Sequence, residues 1–404
     1  MFPLANLAQL IIIFDWMLYA QVVPAVMRDL HLSYWQAGLP VTVLLLVMAV
    51  MQFAGGMLAD RLPEPLLSFA ALAFALAAGA TAAVAHSLAP LVWSRAFNGV
   101  ASGLSFIAGM RLASRLYRGR PLSLAMGVFG SMVNVGILLS AVTAPWLERA
   151  LGWRGAFWLG AAVTGAVMVL YLVRGPRALR PSWDKRSRGD GNGSRSFLSD
   201  ARRLVEPAVW VAGLCHTASF GILLALSSWF PALLTGGADL GATAAGRVMG
   251  LFALVGVVGR LSGPAAAARL GPRGHTALSL TGLALALLAV AAAAGRSSSW
   301  LLVGLVLLTG WMANYPFSTL QAGAAARDPE HAGAILGALN FIALGVAMTL
   351  PIGFGWLKDL TQSFQASVLF FAAVAATGIG LSRFLPAAAG PPQGVAPLTL
   401  PPGG

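Results

Sequence analysis

The sequence predicts an all-α membrane protein with twelve transmembrane helices arranged as two six-helix halves. Of its 404 residues, 58% are hydrophobic and only 10% are charged, and the mean hydropathy is +0.79. A water-soluble domain could not hide this much apolar surface, so lipid must surround most of the chain. The number of apolar segments predicts the helix count, and an internal duplication predicts the two halves.

Twelve apolar segments of roughly 20 residues are each long enough to cross a bilayer as a helix. The predicted spans start at Leu4, Ala37, Leu66, Leu88, Leu122, Gly155, Val209, Ala244, Ala277, Trp300, Ala334 and Gln365. The N-terminus has no basic region before its first apolar run and no small-residue cleavage pattern. We therefore interpret it as a retained first span rather than a signal peptide.

Two pairs of segments recur at nearly the same offset. Residues 134–145 and 340–351 each place an Asn in an apolar run with a Pro eleven positions later, 206 residues apart. Residues 52–61 are echoed by residues 260–269 at an offset of 208. A period near 200 residues in so apolar a chain predicts the duplicated halves of a membrane transporter rather than a soluble repeat array.

Basic residues predict the orientation in the membrane. On the predicted cytoplasmic side there are 18 Arg and Lys residues, against 6 on the outer side. This bias predicts both termini in the cytoplasm and a location in a plasma membrane, the inner membrane of a bacterium. We predict an N-terminal half (1–173), a flexible basic cytoplasmic linker (174–206), a C-terminal half (207–385) and a disordered tail (386–404).

Two function classes are not supported by the sequence. The formal net charge of +13 would suit nucleic acid, but the basic residues lie in short loops between apolar runs, as membrane topology requires. We find no phosphate-binding Gly-Lys loop, no His or Cys cluster with metal spacing and no nucleophile elbow. The single cysteine, Cys215, cannot form an intrachain disulfide. We expect neither an enzyme nor a nucleic-acid binder, and no cofactor or metal.

Two motifs carry a family resemblance. Residues 56–61, Gly-Met-Leu-Ala-Asp-Arg, resemble the loop motif of the major facilitator superfamily, and residues 95–103 resemble its Arg-Gly motif. Segments within residues 103–157 are similar to the nitrate/nitrite porters and their cyanate-permease and anion-symporter relatives. The resemblance implies the major facilitator fold, with alternating access of its two halves. The positions that it assigns to gating or structure are Gly56, Asp60, Arg61, Arg95, Gly99 and Arg269.

The narrower resemblance also implies a place for the substrate. Nitrate/nitrite porters carry two midplane arginines, one in the second helix and one in the eighth. Arg260 fills the eighth-helix position, whereas Gln52 stands in the second, so half of the positive charge of those porters is missing. In the second loop motif, Ala268 stands where the acidic residue would be.

Ionisable residues deep in a span are candidates for function, because a charge in the hydrocarbon core costs several kcal/mol. Asp15, Arg95 and Arg260 meet this criterion. The helical rise places Asp15, Arg260 and Gln52 roughly 12–16 Å from the same face, near the midplane where such transporters bind substrate. Arg95 lies nearer the outer face.

Arg260 is the predicted anion-binding residue, because its planar guanidinium pairs with carboxylate or nitrate-like oxygens. A structural role, paired with Asp15 or with backbone carbonyls, is the alternative. Asp15 is predicted to carry a coupling proton, with a permanent ion pair as its alternative. Gln52, Asn134 and Asn340 are predicted to orient the anion, and each is equally suited to bridging two helices.

Two further sets of residues have structural interpretations. The glycines that precede the repeated asparagines are predicted to let helices approach closely: Gly127, Gly130, Gly333 and Gly337. His216 in the seventh span is expected to bond a neighbouring carbonyl, with proton relay as the alternative.

The function hypothesis is a secondary active transporter for a small inorganic or organic anion, with proton coupling as a further expectation. The expected partners are an anionic small-molecule substrate, a coupling proton and the lipid bilayer, and the protein is expected to act as a monomer. One alternative is proton-driven efflux of a drug-like or hydrophobic metabolite, in which Arg260 and Asp15 merely pair. An alternative of another class is a non-transporting membrane sensor or scaffold.

Overall fold

The structure of the protein, a computed structural model, describes residues 2–32, 34–188, 206–237, 240–294 and 299–385. Over these ranges the chain forms thirteen α-helices and one π-helical turn, and no strand. The prediction of an all-α chain is therefore confirmed. Residues 189–205 of the predicted linker and the predicted tail, 386–404, lie outside the described residues.

Five helices build the N-terminal half. They are α1 (Phe2–Leu30), α2 (Tyr34–Arg61), α3 (Glu64–Ala83), α4 (Leu88–Leu116) and α5 (Gly119–Arg188). α5 turns sharply at Gly152, where φ is 68° and ψ is 167°, a conformation open to glycine and costly for other residues. The parts of α5 before and after Gly152 make the fifth and sixth crossings. α5 also continues as a helix through residues 174–188, which the sequence analysis placed in a flexible linker.

Eight helices build the C-terminal half. They are α6 (Pro207–His216), α7 (Ile222–Gly237), α8 (Ala242–Ala293), α9 (Ser299–Asn314), α10 (Phe317–Arg327), α11 (Ala332–Ala347), α12 (Leu350–Thr361) and α13 (Phe364–Ser382). A π-helical turn, Thr217–Gly221, joins α6 to α7. α8 turns at Gly271, where φ is 69° and ψ is 166°, in the same way as α5 turns at Gly152.

The described helices account for the twelve predicted spans. Nine of the described segments are long and apolar enough to cross a membrane. One of them, Ala244–Ala293, runs for 50 residues and is long enough for two crossings, one on each side of Gly271. α4, with 29 residues, and the shorter apolar helix α11 supply the remaining two. The chain is thus an integral membrane protein.

The two halves contact each other tightly where α2 crosses α11. A Cβ atom added to Gly56 would lie 2.3 Å from the carbonyl oxygen of Gly333, and one added to Gly337 would lie 2.5 Å from that of Gln52. These distances are too short for any side chain, so only glycine permits the crossing. The crossing extends to Asp60 at the end of α2. We call this end of the bundle the Asp60 end; it is the predicted cytoplasmic end.

At the opposite end, Arg154 ties several elements of the N-terminal half together. Its guanidinium donates to the carboxylate of Asp29 at 2.7 Å and to the carbonyl oxygen of Ala85 at 2.8 Å. It also lies 4.2 Å from the centre of the Trp153 ring. These contacts fix the turn that begins at Gly152, between the fifth and sixth crossings.

Candidate functional site

Arg260 lies in the first part of α8 and is fully buried. Its Nε donates to Oδ1 of Asn314 at 2.8 Å, and its Nη1 donates to the carbonyl oxygen of Gly130 on α5. The guanidinium carbon lies 3.9 Å from the centre of the Phe317 ring and 5.6 Å from that of Phe220. Among the described residues, Nη2 has no hydrogen-bond partner. The guanidinium therefore has a fixed position and one unused donor group.

No carboxylate of the described residues lies within 4.0 Å of the Arg260 guanidinium. Its contacts are neutral: an amide oxygen, a backbone carbonyl and two phenyl rings. The pair of Arg260 with Asp15, an alternative left open by the sequence, is absent because Asp15 pairs with Arg95. The alternative bond from Arg260 to a backbone carbonyl is present.

α5 approaches α8 and α9 closely beside Arg260. Nδ2 of Asn134 donates to the same Oδ1 of Asn314 at 3.3 Å. A Cβ atom added to Gly130 would lie 2.2 Å from the Phe317 ring and 2.9 Å from Nη1 of Arg260, so glycine permits this contact. Through Asn314, the structure brings together two predicted site residues, Arg260 and Asn134, that belong to different halves.

Asn340, the repeat partner of Asn134, lies in a hydrogen-bonded group of the C-terminal half. Its Nδ2 donates to the carbonyl oxygen of Leu336 at 2.8 Å and to Oε1 of Gln321 at 3.2 Å. Its Oδ1 accepts from Nε2 of Gln321 at 3.1 Å. Gln321 Nε2 also lies 3.3 Å from Nε2 of His216. The ring of His216 therefore contacts the side-chain amide nitrogen of Gln321, whereas the sequence suggested a bond to a neighbouring carbonyl.

Two phenylalanine rings connect this group to Arg260. The His216 ring is stacked on the Phe220 ring, with centres 5.2 Å apart and planes 4° apart, and its centre lies 5.5 Å from that of Phe317. Phe220 belongs to the π-helical turn, a feature that often marks functional sites in membrane and soluble helices. We call the whole set the central polar cluster: Arg260, Asn134, Asn314, His216, Gln321, Asn340, Phe220 and Phe317.

Asp15 lies in a second buried group, within the N-terminal half. Its Oδ2 accepts from Nδ2 of Asn98 at 2.7 Å and lies 3.6 Å from Nη2 of Arg95. Arg95 also donates to the backbone carbonyl of Asp15 at 3.2 Å and lies over the rings of Tyr19 and Phe157. Oδ1 of Asp15 has no hydrogen-bond partner in the described part of the chain. Asp15 and Arg260 therefore belong to separate groups.

Gln52, the predicted neutral donor to the anion, is buried on α2 at the crossing with α11. Its backbone carbonyl faces Gly337. Its Oε1 has no hydrogen-bond partner within the described ranges. The hydrogen bonds of Arg260 go to other residues, so a role for Gln52 beside the anion stays a prediction.

Asp60 fastens the two halves together at its end of the bundle. Its carboxylate accepts from the backbone amides of Gly333 at 3.0 Å and Ala334 at 2.8 Å, at the start of α11. A carboxylate at this position satisfies free amides and complements the positive end of the helix dipole. Arg111 pairs with Asp60 at 2.7 Å and donates to the carbonyl oxygen of Glu330 at 2.8 Å. Both side chains belong to the N-terminal half and bond backbone groups of the C-terminal half, so together they join the two halves at this end.

The other motif residues occupy less central positions. Arg61 donates to the carbonyl oxygen of Met57 in its own helix at 3.1 Å. Gly99 lets α4 approach α2, since a Cβ atom there would lie 2.7 Å from the carbonyl oxygen of Leu44. Arg269 is exposed and lines a cavity at the Asp60 end. The contact between the halves at Asp60 thus involves Arg111, a residue that the sequence motifs did not identify.

The cavity has a volume of about 680 Å³ and lies between the two halves. Three of its lining residues are arginines: Arg120 from the N-terminal half, and Arg269 and Arg327 from the C-terminal half. None of the described residues that line it is acidic. A cavity with this charge attracts anions from the solution at that end.

Residues 5–351 match the Major Facilitator Superfamily. The chain belongs to this superfamily. Its members are transporters and not enzymes, so the expectation that the chain is not an enzyme is confirmed.

Named relatives of this Major Facilitator Superfamily transporter include an anion transporter. The probable nitrate/nitrite transporter NarK2 of Mycobacterium tuberculosis (strain ATCC 25618 / H37Rv) is 32% identical over 292 residues, covering 69% of this chain and 68% of that protein. A probable 4-methylmuconolactone transporter of Cupriavidus pinatubonensis is 28% identical over 231 residues, covering 55% and 52%. The solved proton:xylose symporter XylE shares the fold, with a TM-score of 0.76 at 14% identity over 96% of this chain and 95% of that one.

Sequence reasoning missed three parts of the transporter's central polar cluster. Asn314 and Gln321 are polar residues in apolar surroundings near the tenth predicted span, and this signal was available from the sequence. The π-helical turn at Thr217–Gly221 has no local sequence signal, because it depends on packing against neighbouring helices.

Proposed function

We propose that this Major Facilitator Superfamily transporter moves a small anion and that Arg260 binds it. The observation that carries the proposal is a fully buried guanidinium with one free donor group and, among the described residues, no carboxylate within 4.0 Å. An unpaired cation in a medium of low dielectric constant destabilises the protein by several kcal/mol. A bound anion offsets this cost, and two oxygens of a carboxylate or nitrate fit the guanidinium fork.

The carbonyl oxygen of Gly130 occupies a position beside Arg260 that an anion oxygen would take. It accepts from Nη1 and belongs to the other half of the protein. An incoming anion competes with this carbonyl for the guanidinium, so anion binding favours withdrawal of α5 from α8. This competition links binding to the relative movement of the halves, as alternating access requires. Asn134 and Asn314 lie at the same contact, where their amides orient the anion.

The basic cavity and the relatives support an anionic substrate. The cavity lies at the Asp60 end, with Arg120, Arg269 and Arg327 on its wall, and its charge raises the local concentration of anions. One relative is named as a nitrate/nitrite transporter, and another is named for an organic solute. We therefore include both inorganic oxyanions and small organic acids in the proposed substrate class.

Asp15 is the proposed carrier of a coupling proton. It is a buried carboxylate with one oxygen that has no partner within the described residues. Protonation of Asp15 would weaken its ion pair with Arg95. A close contact between Ile13 on α1 and Gly136 on α5 connects this ion pair to α5. The contact is so close that a Cβ atom added to Gly136 would lie 2.7 Å from the Ile13 side chain. α5 also carries Gly130, so movement of α1 reaches the contact that holds Arg260.

Anion binding by the purified protein tests the role of Arg260. Nitrate, nitrite, cyanate, formate and oxalate are added at constant ionic strength, and the thermal unfolding midpoint is recorded for wild type, Arg260→Lys and Arg260→Gln. An anion at 100 times its Kd stabilises the folded state by about 2.7 kcal/mol. We expect stabilisation of the wild type, weaker stabilisation of Arg260→Lys and none of Arg260→Gln. Arg154→Gln, which removes an arginine at the opposite end, is the control and should respond like wild type.

Proteoliposomes under an imposed pH gradient test transport directly. Uptake of the stabilising anion is expected for the wild type and is lost in Arg260→Gln. Equal responses of wild type and Arg260→Gln would contradict the assignment of Arg260. Movement of a lipophilic dye without movement of any anion would favour the efflux alternative.

A further inference from the structure

The orientation of the Asn340 amide is fixed by the backbone. The carbonyl oxygen of Leu336 can only accept a hydrogen bond, so the Asn340 atom 2.8 Å from it must be the donor Nδ2. Oδ1 of Asn340 therefore points to Gln321 and accepts from its Nε2 at 3.1 Å. The second bond of the pair, from Asn340 Nδ2 to Gln321 Oε1 at 3.2 Å, agrees with this assignment.

The same chain of hydrogen bonds fixes the tautomer of His216. Gln321 Nε2 carries only donor hydrogens, and it lies 3.3 Å from His216 Nε2. Nε2 of His216 is therefore an acceptor, and in the neutral imidazole the proton resides on Nδ1. His216 is fully buried, and its Nδ1 has no partner among the described residues. The ring thus presents an unused N–H donor, assigned from the network of amides around it.

This donor lies beside the same aromatic pair as Arg260. Phe220 and Phe317 contact both the His216 ring and the Arg260 guanidinium. Two buried side chains from different helices, α6 and α8, therefore each have a free N–H group next to one pair of rings. Phe220 follows His216 by four residues in the π-helical turn, which places its ring against the imidazole.

We propose that His216 is a second anion-binding residue, which donates its Nδ1–H to an oxyanion held by Arg260, and that Gln321 and Asn340 position this donor. The inference rests on the proposed anion transport. A neutral N–H group strengthens anion binding without placing a second positive charge beside Arg260. The arrangement suits anions with at least two oxygen acceptors, such as nitrate, nitrite or a small carboxylate, because one oxygen binds each donor.

Matched substitutions at His216 separate its two nitrogens. The amide nitrogen of Asn reaches the position of Nδ1, whereas that of Gln reaches the position of Nε2. We expect His216→Ala to bind nitrate or formate roughly ten- to a hundredfold more weakly, the effect of losing a hydrogen bond to a charged group. His216→Asn should retain more affinity than His216→Gln. His275→Ala is the control, because His275 is another buried histidine, bonded instead to Thr319.

Spectroscopy tests the tautomer without a substitution at the histidine. The ¹⁵N chemical shifts of labelled histidine distinguish Nδ1–H from Nε2–H rings, and Gln321→Met identifies the His216 signal because it removes the donor to Nε2. We expect the Nδ1–H tautomer in wild type and weaker anion binding in Gln321→Met. An Nε2–H tautomer in wild type would overturn the inference, even if His216→Ala does not fold.

The outcomes distinguish this inference from the proposed function. If wild type binds nitrate, Arg260→Gln does not, and His216→Ala binds as wild type does, then only the role of His216 is refuted. If wild type binds none of the tested anions, the proposed function itself fails.

Discussion

Replacing Gly337 with alanine should open the Asp60 end of the transporter. The new Cβ atom would lie 2.5 Å from the carbonyl oxygen of Gln52, 3.1 Å from Cα of Gly56 and 3.2 Å from Cα of Phe53. All three neighbours are backbone atoms of α2, so no side-chain rotation relieves the overlap. Overpacking of this kind costs about 1–3 kcal/mol. The cost applies only to the conformation in which α2 and α11 touch, so its population ratio to open states falls by about 5- to 150-fold.

Distance measurements between spin labels report this change. Leu116 and Phe384 are exposed residues of the two halves near the Asp60 end, and each is replaced by cysteine in a Cys215→Ala background. We expect Gly337→Ala to add a population with a longer distance between the two labels.

Gly345→Ala is the matched control for this experiment. Gly345 lies on the same helix, and a Cβ atom there would meet no atom within 4 Å. Both substitutions stabilise the helix by about 1 kcal/mol, because alanine favours the helical conformation more than glycine does. The two variants therefore differ only in the steric overlap. Identical distance distributions for Gly337→Ala and Gly345→Ala would refute the reasoning.

Three further substitutions test individual contacts. Asn314→Asp places a carboxylate 2.8 Å from Nε of Arg260, where it should compete with the substrate anion and abolish anion binding. Anion binding at wild-type affinity would count against Arg260 as the site. Asp15→Asn leaves Arg95 buried without its counter-ion and should destabilise the fold by about 3–5 kcal/mol. Adding Arg95→Gln to this variant should restore stability, and a double variant that unfolds at the same temperature as Asp15→Asn would contradict the pairing. If Asp15 also carries the coupling proton, Asp15→Asn takes up anion independently of the pH gradient, whereas pH-driven uptake at the wild-type rate argues for a purely structural pair. Asp60→Asn removes the ion pair with Arg111 and should lengthen the same spin-label distance at the Asp60 end, whereas an unchanged distance would show that the glycine contacts suffice.

The central arginine was predictable from the sequence, but its partners were not. A cation in a long apolar run stands out in the sequence, and its burial at Arg260 follows from the cost of leaving it in lipid. Asn314 lies 54 residues away along the chain, and the Gly130 contact is a backbone carbonyl that every residue type carries. The polarity of Asn314 is visible in the sequence, but no property of the local sequence shows that Asn314 or the Gly130 carbonyl contacts Arg260.

The position of Asp15 shows a second limit of sequence reasoning. The helical rise predicted a similar depth for Asp15 and Arg260, and that arithmetic says nothing about direction around the helix axis. In the structure Asp15 pairs with Arg95 in the N-terminal half, whereas Arg260 contacts Asn314 and α5. Residue counting also misjudged the depth, because Asp15 pairs with Arg95, which the same arithmetic placed nearer the outer face. Neither depth nor facing is therefore fixed by position along a span.

The hold of Gly130 on Arg260 also affects how this transporter can diverge. Every amino acid carries a backbone carbonyl, so a substitution of Gly130 would not remove the acceptor as such. It would instead add a side chain where the Phe317 ring leaves space for no more than a hydrogen atom. A change of the proposed substrate would therefore come from the surrounding side chains, while Gly130 and its contact with the guanidinium stay unchanged. Related transporters with this contact would differ in the solute that they carry and share the same contact between the two halves.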